Sequence, residues 1–174
     1  LSDKHGTYYR TKAPYNGTVW QLFANGSGLT SARWPNVEAW SDDWWDRDKA
    51  WASQQDGSIC TYSIDAGVAE PPFYGTQTLA AENVSFDGCN AIVNNEHWIS
   101  RRYSVSNHLP GSNNFTYENI SQIGNQFCDK YGYDTVNSAY FLDGCVAAFD
   151  APGEWAADAD GHLLLRLPTE LEGV

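Results

Sequence analysis

The chain has no methionine, and its 10 Lys and Arg are outnumbered by 22 Asp and Glu. The resulting formal net charge of −12 argues against a nucleic-acid partner, because binding a phosphate backbone rests on lysine and arginine. No stretch is apolar for long enough to cross a bilayer, and Leu1 to Arg10 lacks the apolar run of a signal peptide. Either a signal has been removed or the numbering starts inside a longer protein; the lack of methionine favours the second. The sequence contains no serine-nucleophile elbow, phosphate loop or metalloprotease motif. It also contains no repeat of fixed period.

Charged residues are only 18% of the 174, while Gly, Asn, Ser and Thr are plentiful. That mixture suits turn-rich β structure better than helices, and 42% hydrophobic content is enough for one compact domain to bury a core. Thr7 to Arg10 and Thr18 to Phe23 read as strands, with Asn25-Gly26 as a hairpin turn. Trp20, Phe23 and Trp34 are therefore expected to pack inward, with stacking on a sugar as the alternative for one of them. Asn36 to Trp51 is the one helical candidate. Trp40 and Trp44 lie four apart and acids cluster early, which predicts a short helix near 38–51. Its tryptophans Trp40, Trp44 and Trp45 either pin the segment down or form a carbohydrate platform. Asp42, Asp43, Asp46 and Asp48 do not follow an EF-hand pattern, so calcium there is a bare possibility and no other cofactor is implied.

Further along, Ile59 to Ile64 reads as a strand, and Leu79 to Val93 as paired β segments turned at Asp87-Gly88. His97 to Val105 is another strand, with Trp98, Tyr103 and Val105 inward. Its Arg101-Arg102 pair could meet an acidic partner or simply face solvent. His108 to Tyr117 is a turn followed by a strand. From Ala139 the chain alternates through Phe141, Cys145, Ala147 and Phe149, turns at Asp150 to Gly153, and closes a hairpin at Asp158 to Gly161 before Leu163 to Leu165.

Cys60, Cys89, Cys128 and Cys145 have no CxxC spacing and no histidine arrangement suited to zinc. An even number in an extracellular setting implies two disulfides with three possible connectivities, free buried thiols being the alternative. Cys89 and Cys145 both follow an Asp-Gly pair at the end of an apolar strand, which favours joining them and leaves Cys60 with Cys128. Asn16, Asn25, Asn83, Asn114 and Asn119 each begin an Asn-X-Ser/Thr sequon. Five exceed the roughly two that chance placement gives, which points to a glycoprotein in a eukaryotic host and to ordinary turn residues in a bacterial one.

Two blocks carry a family resemblance. The first is Asp150, Pro152, Gly153, Glu154, Trp155, Asp158, Gly161, Leu163, Leu165 and Pro168; the second is QLFANG from Gln21 to Gly26, followed by ARWPN from Ala32 to Asn36. Both resemble motifs of secreted right-handed parallel β-helix proteins, especially large carbohydrate-active ones like glycoside hydrolase family 141. The resemblance implies a mainly β chain in three parts: 1–35 as the first strands of a β-helix, 36–149 as a β-sandwich-like insertion, and 150–174 as the PGEW turn and return strand. Arg33, Trp34, Pro35, Asp150, Pro152, Gly153, Glu154 and Trp155 become structural motif residues, with Arg33 expected to hold a carboxylate of the PGEW turn. In such families the catalytic coils come later, beyond Val174, so no catalytic residue is assigned here. Within the chain, Glu154 with Asp150 or Asp158 is the nearest approach to a glycosidase carboxylate pair, and His97 with Arg101 the nearest to a lyase pair. The expected function is a non-catalytic extracellular or cell-surface glycoprotein module of a larger protein. Its partners would be polysaccharide, further copies of an extracellular assembly, or the remainder of a longer chain. The alternative is a fragment of a polysaccharide-degrading hydrolase or lyase.

Overall fold

The computed structural model describes residues 1–38, 41–55, 62–68, 76–96, 99–117 and 138–168, with backbone alone at 45, 62, 95, 96 and 99. The chain starts with a small hairpin, β1 (Ser2–Asp3) and β2 (Gly6–Thr7), and then β3 (Tyr9–Arg10). A second hairpin joins β4 (Leu22–Ala24) to β5 (Ser27–Ser31). Its turn is Asn25 at φ 50° and Gly26 at φ 84°, the two positive values that a tight hairpin of this hand demands.

After β6 (Arg33–Trp34) come a 3-10 turn (Asp42–Trp45) and one turn of helix, α1 (Arg47–Ala50). The single helix expected over 38–51 is broken here. Asp46 adopts φ −77°, ψ 105°, and its side chain accepts the Asp48 N–H, so it ends one turn and caps the next. The strands β7 (Ala52–Gln54) and β8 (Tyr62–Gly67) precede α2 (Leu79–Glu82). The stretch from Leu79, expected to be β, begins as helix because the Thr78 hydroxyl accepts the Ala81 N–H; Asn83, at φ 52°, ends it. Then follow β9 (Asn90–Glu96), β10 (Ile99–Ser106), β11 (Asn114–Tyr117), β12 (Ala139–Asp143), β13 (Glu154–Ala157) and β14 (Leu163–Leu165). The alternation expected from Phe141 to Phe149 stops at Gly144, where φ is 73°, and Val146–Ala148 form a 3-10 turn.

The strands β12, β7, β8, β11, β10 and β9 pair antiparallel in that order, and β9 pairs back onto β12. The sheet therefore closes into a six-stranded barrel rather than the two facing sheets of the sandwich expected over 36–149. Closure leaves none of the six without a neighbour on either side. Its interior is read from alternate residues: Ala91 and Val93, Tyr103 and Val105, Phe115 and Tyr117, Tyr140 and Leu142 are all buried. Aromatic rings fill the middle, with Phe115 and Tyr140 centroids 5.4 Å apart and Trp34 6.2 Å from Tyr140. Burying a side chain of this size stabilises by roughly 1.5–3 kcal/mol each. Among the described residues one acid lies inside: Asp65 accepts the Tyr140 hydroxyl at 2.7 Å and the Gly67 and Leu79 N–H groups at 2.9 and 3.0 Å, while burial pushes its carboxyl up.

Outside the barrel, β3, β14, β13, β5 and β4 form a second sheet in which β13 runs parallel to β5, Glu154 facing Thr30 and Trp155 facing Ser31. Arg166 ties this sheet to the first hairpin. Its guanidinium pairs with Asp3 and lies over the Phe149 ring at 4.6 Å. Trp20 and Phe23, expected inside, are 87% and 59% exposed, whereas Trp34 is 1% exposed. The reason is topological. β4 is an edge strand of the five, and Trp20 precedes it in irregular chain, so neither ring has a layer to pack beneath.

Candidate carbohydrate-binding groove

The junction between barrel and sheet is built on Glu154. This buried carboxyl group accepts the backbone N–H of Arg33 at 3.0 Å with Oε1, and those of Asp150 and Ala151 at 2.9 and 3.0 Å with Oε2. Desolvation pushes its carboxyl up to about 8, against the pull of those N–H groups. The expected side-chain pair between Arg33 and the turn is not the one formed. The Arg33 guanidinium instead donates to the carbonyls of Pro35 and Ala50 and lies over the Phe141 ring at 4.1 Å. Burial lowers it to about 10, with Asp143 and Glu154 opposing that shift. Asp150 accepts the Asn36 amide at 2.8 Å, the Trp34 indole donates to Glu82 at 3.2 Å, the bond from Trp34 to Pro35 is cis, and Pro152 is exposed at the tip of the turn.

These contacts dispose of Glu154 as a sugar-facing acid. It is closed off from solvent, and Asp158 is occupied by Arg10 Nε at 2.8 Å and by the N–H groups of its own turn. His97, the base of the lyase-like pair, lies outside the described residues. Of the tryptophan platform, Trp40 and the Trp45 side chain lie outside them too. Trp44 is half-buried with the Arg33 guanidinium 5.4 Å from its ring centroid. Among the described residues no group of three or more His, Cys, Asp or Glu is arranged to hold a metal ion. In the acidic stretch, Lys49 sits between Asp43 at 2.8 Å and Asp46 at 3.6 Å.

Cys89 and Cys145 form a disulfide that joins the start of β9 to the end of β12; Cys60 and Cys128 lie outside the described residues. Asn16, Asn25, Asn83 and Asn114 are exposed, and Asn119 lies outside the described residues. Two of these, Asn25 and Asn83, sit at positive φ, so backbone geometry alone accounts for asparagine there.

Beside the junction runs an open groove of about 450 Å³. Its loop side is Tyr15, Gly17 and Trp20; its sheet side includes Trp155 and Leu163; its barrel side is Asn90, Arg102, Asp143 and Gly144. Trp20 and Tyr15, 87% and 52% exposed, are large aromatic faces held at a concave surface. Asp143 accepts the Asn90 amide at 2.9 Å, an approach that Gly144 permits, because a Cβ there would stand 2.7 Å from Asn90 Nδ2. Burial pushes the Asp143 carboxyl up, while Asn90, Arg102 and Arg33 pull it down. Flat apolar faces beside hydrogen-bonding amide, carboxylate and guanidinium groups are what a sugar ring with its hydroxyls requires. Of these groups the sequence had marked Trp20 as core and Arg102 as half of a basic pair. Asn90 and Asp143 carried no signal beyond the turns next to them.

The described residues thus make a mainly β protein, with a closed barrel set into a mixed sheet and an aromatic groove where the two meet. No protein-family model matches the chain, and no curated protein matches it. A solved structure described as a glycoside hydrolase has the same fold over 97% of this chain, with a TM-score of 0.57 and 18% sequence identity. The chain spans 27% of that structure's length.

Proposed function

We propose that this chain is a non-catalytic extracellular module of a larger protein and that it holds polysaccharide in the groove between barrel and sheet. The observation that carries the reading is Trp20, an 87% exposed ring lining a groove that Asn90, Arg102 and Asp143 also line. An exposed tryptophan at a concave surface leaves apolar area in water that a pyranose face would cover. The fold likeness to a glycoside hydrolase supports a carbohydrate-related role. The Cys89–Cys145 disulfide supports an oxidising compartment, and the exposed sequon asparagines support N-glycosylation. The parallel pair β5 and β13 supports placement at the start of a β-helix. Among the described residues no helix is long and apolar enough to cross a membrane.

Titration calorimetry of the chain with plant, algal and bacterial oligosaccharides tests the reading. Binding that is lost in Trp20→Ala, with the melting curve unchanged, is the expected result. Binding that survives this substitution moves the contact elsewhere. The second reading, a front portion of a polysaccharide-degrading enzyme whose catalytic residues lie outside this chain, is favoured by the 27% coverage of the hydrolase. Appearance of reducing ends when the chain alone is incubated with polysaccharide would contradict both readings. Activity confined to a longer natural form supports the second.

A further inference from the structure

Resting on the reading of the groove as a saccharide site, we propose that the sugar it takes is acidic, a pyranose bearing a carboxylate that Arg102 receives. In β10, Tyr103 and Val105 point into the barrel, and Arg102, of opposite parity, stands exposed on its outer wall. Among the described residues that line the groove it is the one base, and Asp143 is the one acid.

Three of the other cations are already committed to acids, and none of these three lines the groove. In a chain with 22 acids, Arg10 pairs with Asp158 and Asp160, Lys49 with Asp43 and Asp46, and Arg166 with Asp3. Arg102 pulls on the nearby Asp143 carboxyl but forms no ion pair or side-chain hydrogen bond among the described residues. The Asp143 carboxylate is instead tied to Asn90 Nδ2 at 2.9 Å, the contact that Gly144 makes room for. The guanidinium is left with its planar fork of donors free at the groove wall.

A fork of this kind matches a carboxylate two bonds at a time. A neutral sugar would leave that charge without a counter-ion as the groove desolvates, at a cost. An acidic sugar places its carboxylate on Arg102, directs hydroxyls to the acceptor oxygens of Asp143, and lays its ring against Trp20. The negative field of the whole chain slows approach of such a polymer, so binding is expected to be weaker at very low ionic strength than this contact alone would give.

The test is a matched pair of ligands: a short oligo-uronide and the same oligosaccharide with its carboxyls reduced to alcohols. Titrated into the intact chain, the uronide is expected to bind about tenfold more tightly, the scale of one charge-assisted contact. That advantage should vanish in Arg102→Gln and persist in part in Arg102→Lys, while Trp20→Ala should weaken both ligands. Equal affinity for the two ligands, or equal loss of both in Arg102→Gln, overturns the acidic-sugar inference and leaves the groove reading standing. No binding of either ligand to the unaltered chain overturns the acidic-sugar inference. Absence of binding across the neutral oligosaccharides as well overturns the groove reading too. Because Arg102 is exposed, an unchanged melting curve separates these outcomes from misfolding.

Discussion

Glu154 reaches back across 121 residues to accept the backbone N–H of Arg33 at 3.0 Å. Its other oxygen holds the N–H groups of Asp150 and Ala151, so one carboxyl group clasps the place where the chain leaves the sheet and the place where it returns. Removing it strands two buried donors, each worth roughly 1–3 kcal/mol, and a third that is part-buried. Glu154→Ala is therefore expected to lose more than about 3 kcal/mol in urea denaturation, and Glu154→Gln less, because the amide oxygen still accepts on one side. A parent-like midpoint for the alanine variant would contradict the clasp.

The same group sets a pH dependence. Folded, Glu154 keeps its proton up to about 8 against an ordinary 4.5, so the native state binds more protons than the unfolded chain between those values. Stability from this source is present below 4.5 and falls as pH rises through the window, by on the order of a few kcal/mol in all. Asp65, Asp143 and Asp150 are displaced the same way by burial. Asp3 and Asp158 are displaced downward and act oppositely, though solvent screens these two and limits their weight. The protein should melt at a higher temperature at pH 5 than at pH 8, and Glu154→Gln should flatten the slope. A melting temperature that climbs toward pH 8 would refute this.

The Cys89–Cys145 bridge closes a long loop, the two residues being 56 positions apart. On the chain-entropy account, removing such a cross-link costs roughly 4 kcal/mol. A Cys89→Ser, Cys145→Ser double variant should accordingly unfold at distinctly lower denaturant. The barrel's own hydrogen bonds remain, so its far-ultraviolet dichroism at zero denaturant should stay close to the parent's.

Two tryptophans separate folding from recognition. Trp34→Ala empties a buried site against Phe86 and Tyr140 and should cost about 3–5 kcal/mol. Trp20→Ala removes a ring that is 87% exposed and should change stability by less than about 0.5 kcal/mol. Paired denaturation curves check both, and a large effect at Trp20 would show that the ring supports the fold.

The legible parts of the fold were those written in local chemistry. Asn25-Gly26 produced its hairpin, Asp158 to Gly161 the next one, and the period-two apolar positions Tyr103 and Val105 the inner face of β10. The shared Asp-Gly context of Cys89 and Cys145 was enough to pair them. Barrel closure was not legible, because period two is the same in a sandwich as in a barrel. Closure depends on β12 offering one edge to β7 and the other to β9, a long-range choice. Trp20 misled for a related reason: an apolar strand-like context predicts burial only if another layer covers it. The groove was opaque because it is assembled from a loop, a sheet and a barrel wall. Asn90 and Asp143 become neighbours only when β9 and β12 come into register.

The register of β6 with β12 has a further consequence. Arg33 lies opposite Asp143 and Trp34 opposite Leu142, so the chain enters and leaves the barrel side by side. The barrel is thus a detour that starts and finishes at one doorway of a smaller sheet. Sequence drift, or lengthening of a barrel loop, need not disturb the strands outside. In evolution such a unit can be gained, lost or exchanged whole, carrying one wall of the groove with it and leaving the other behind.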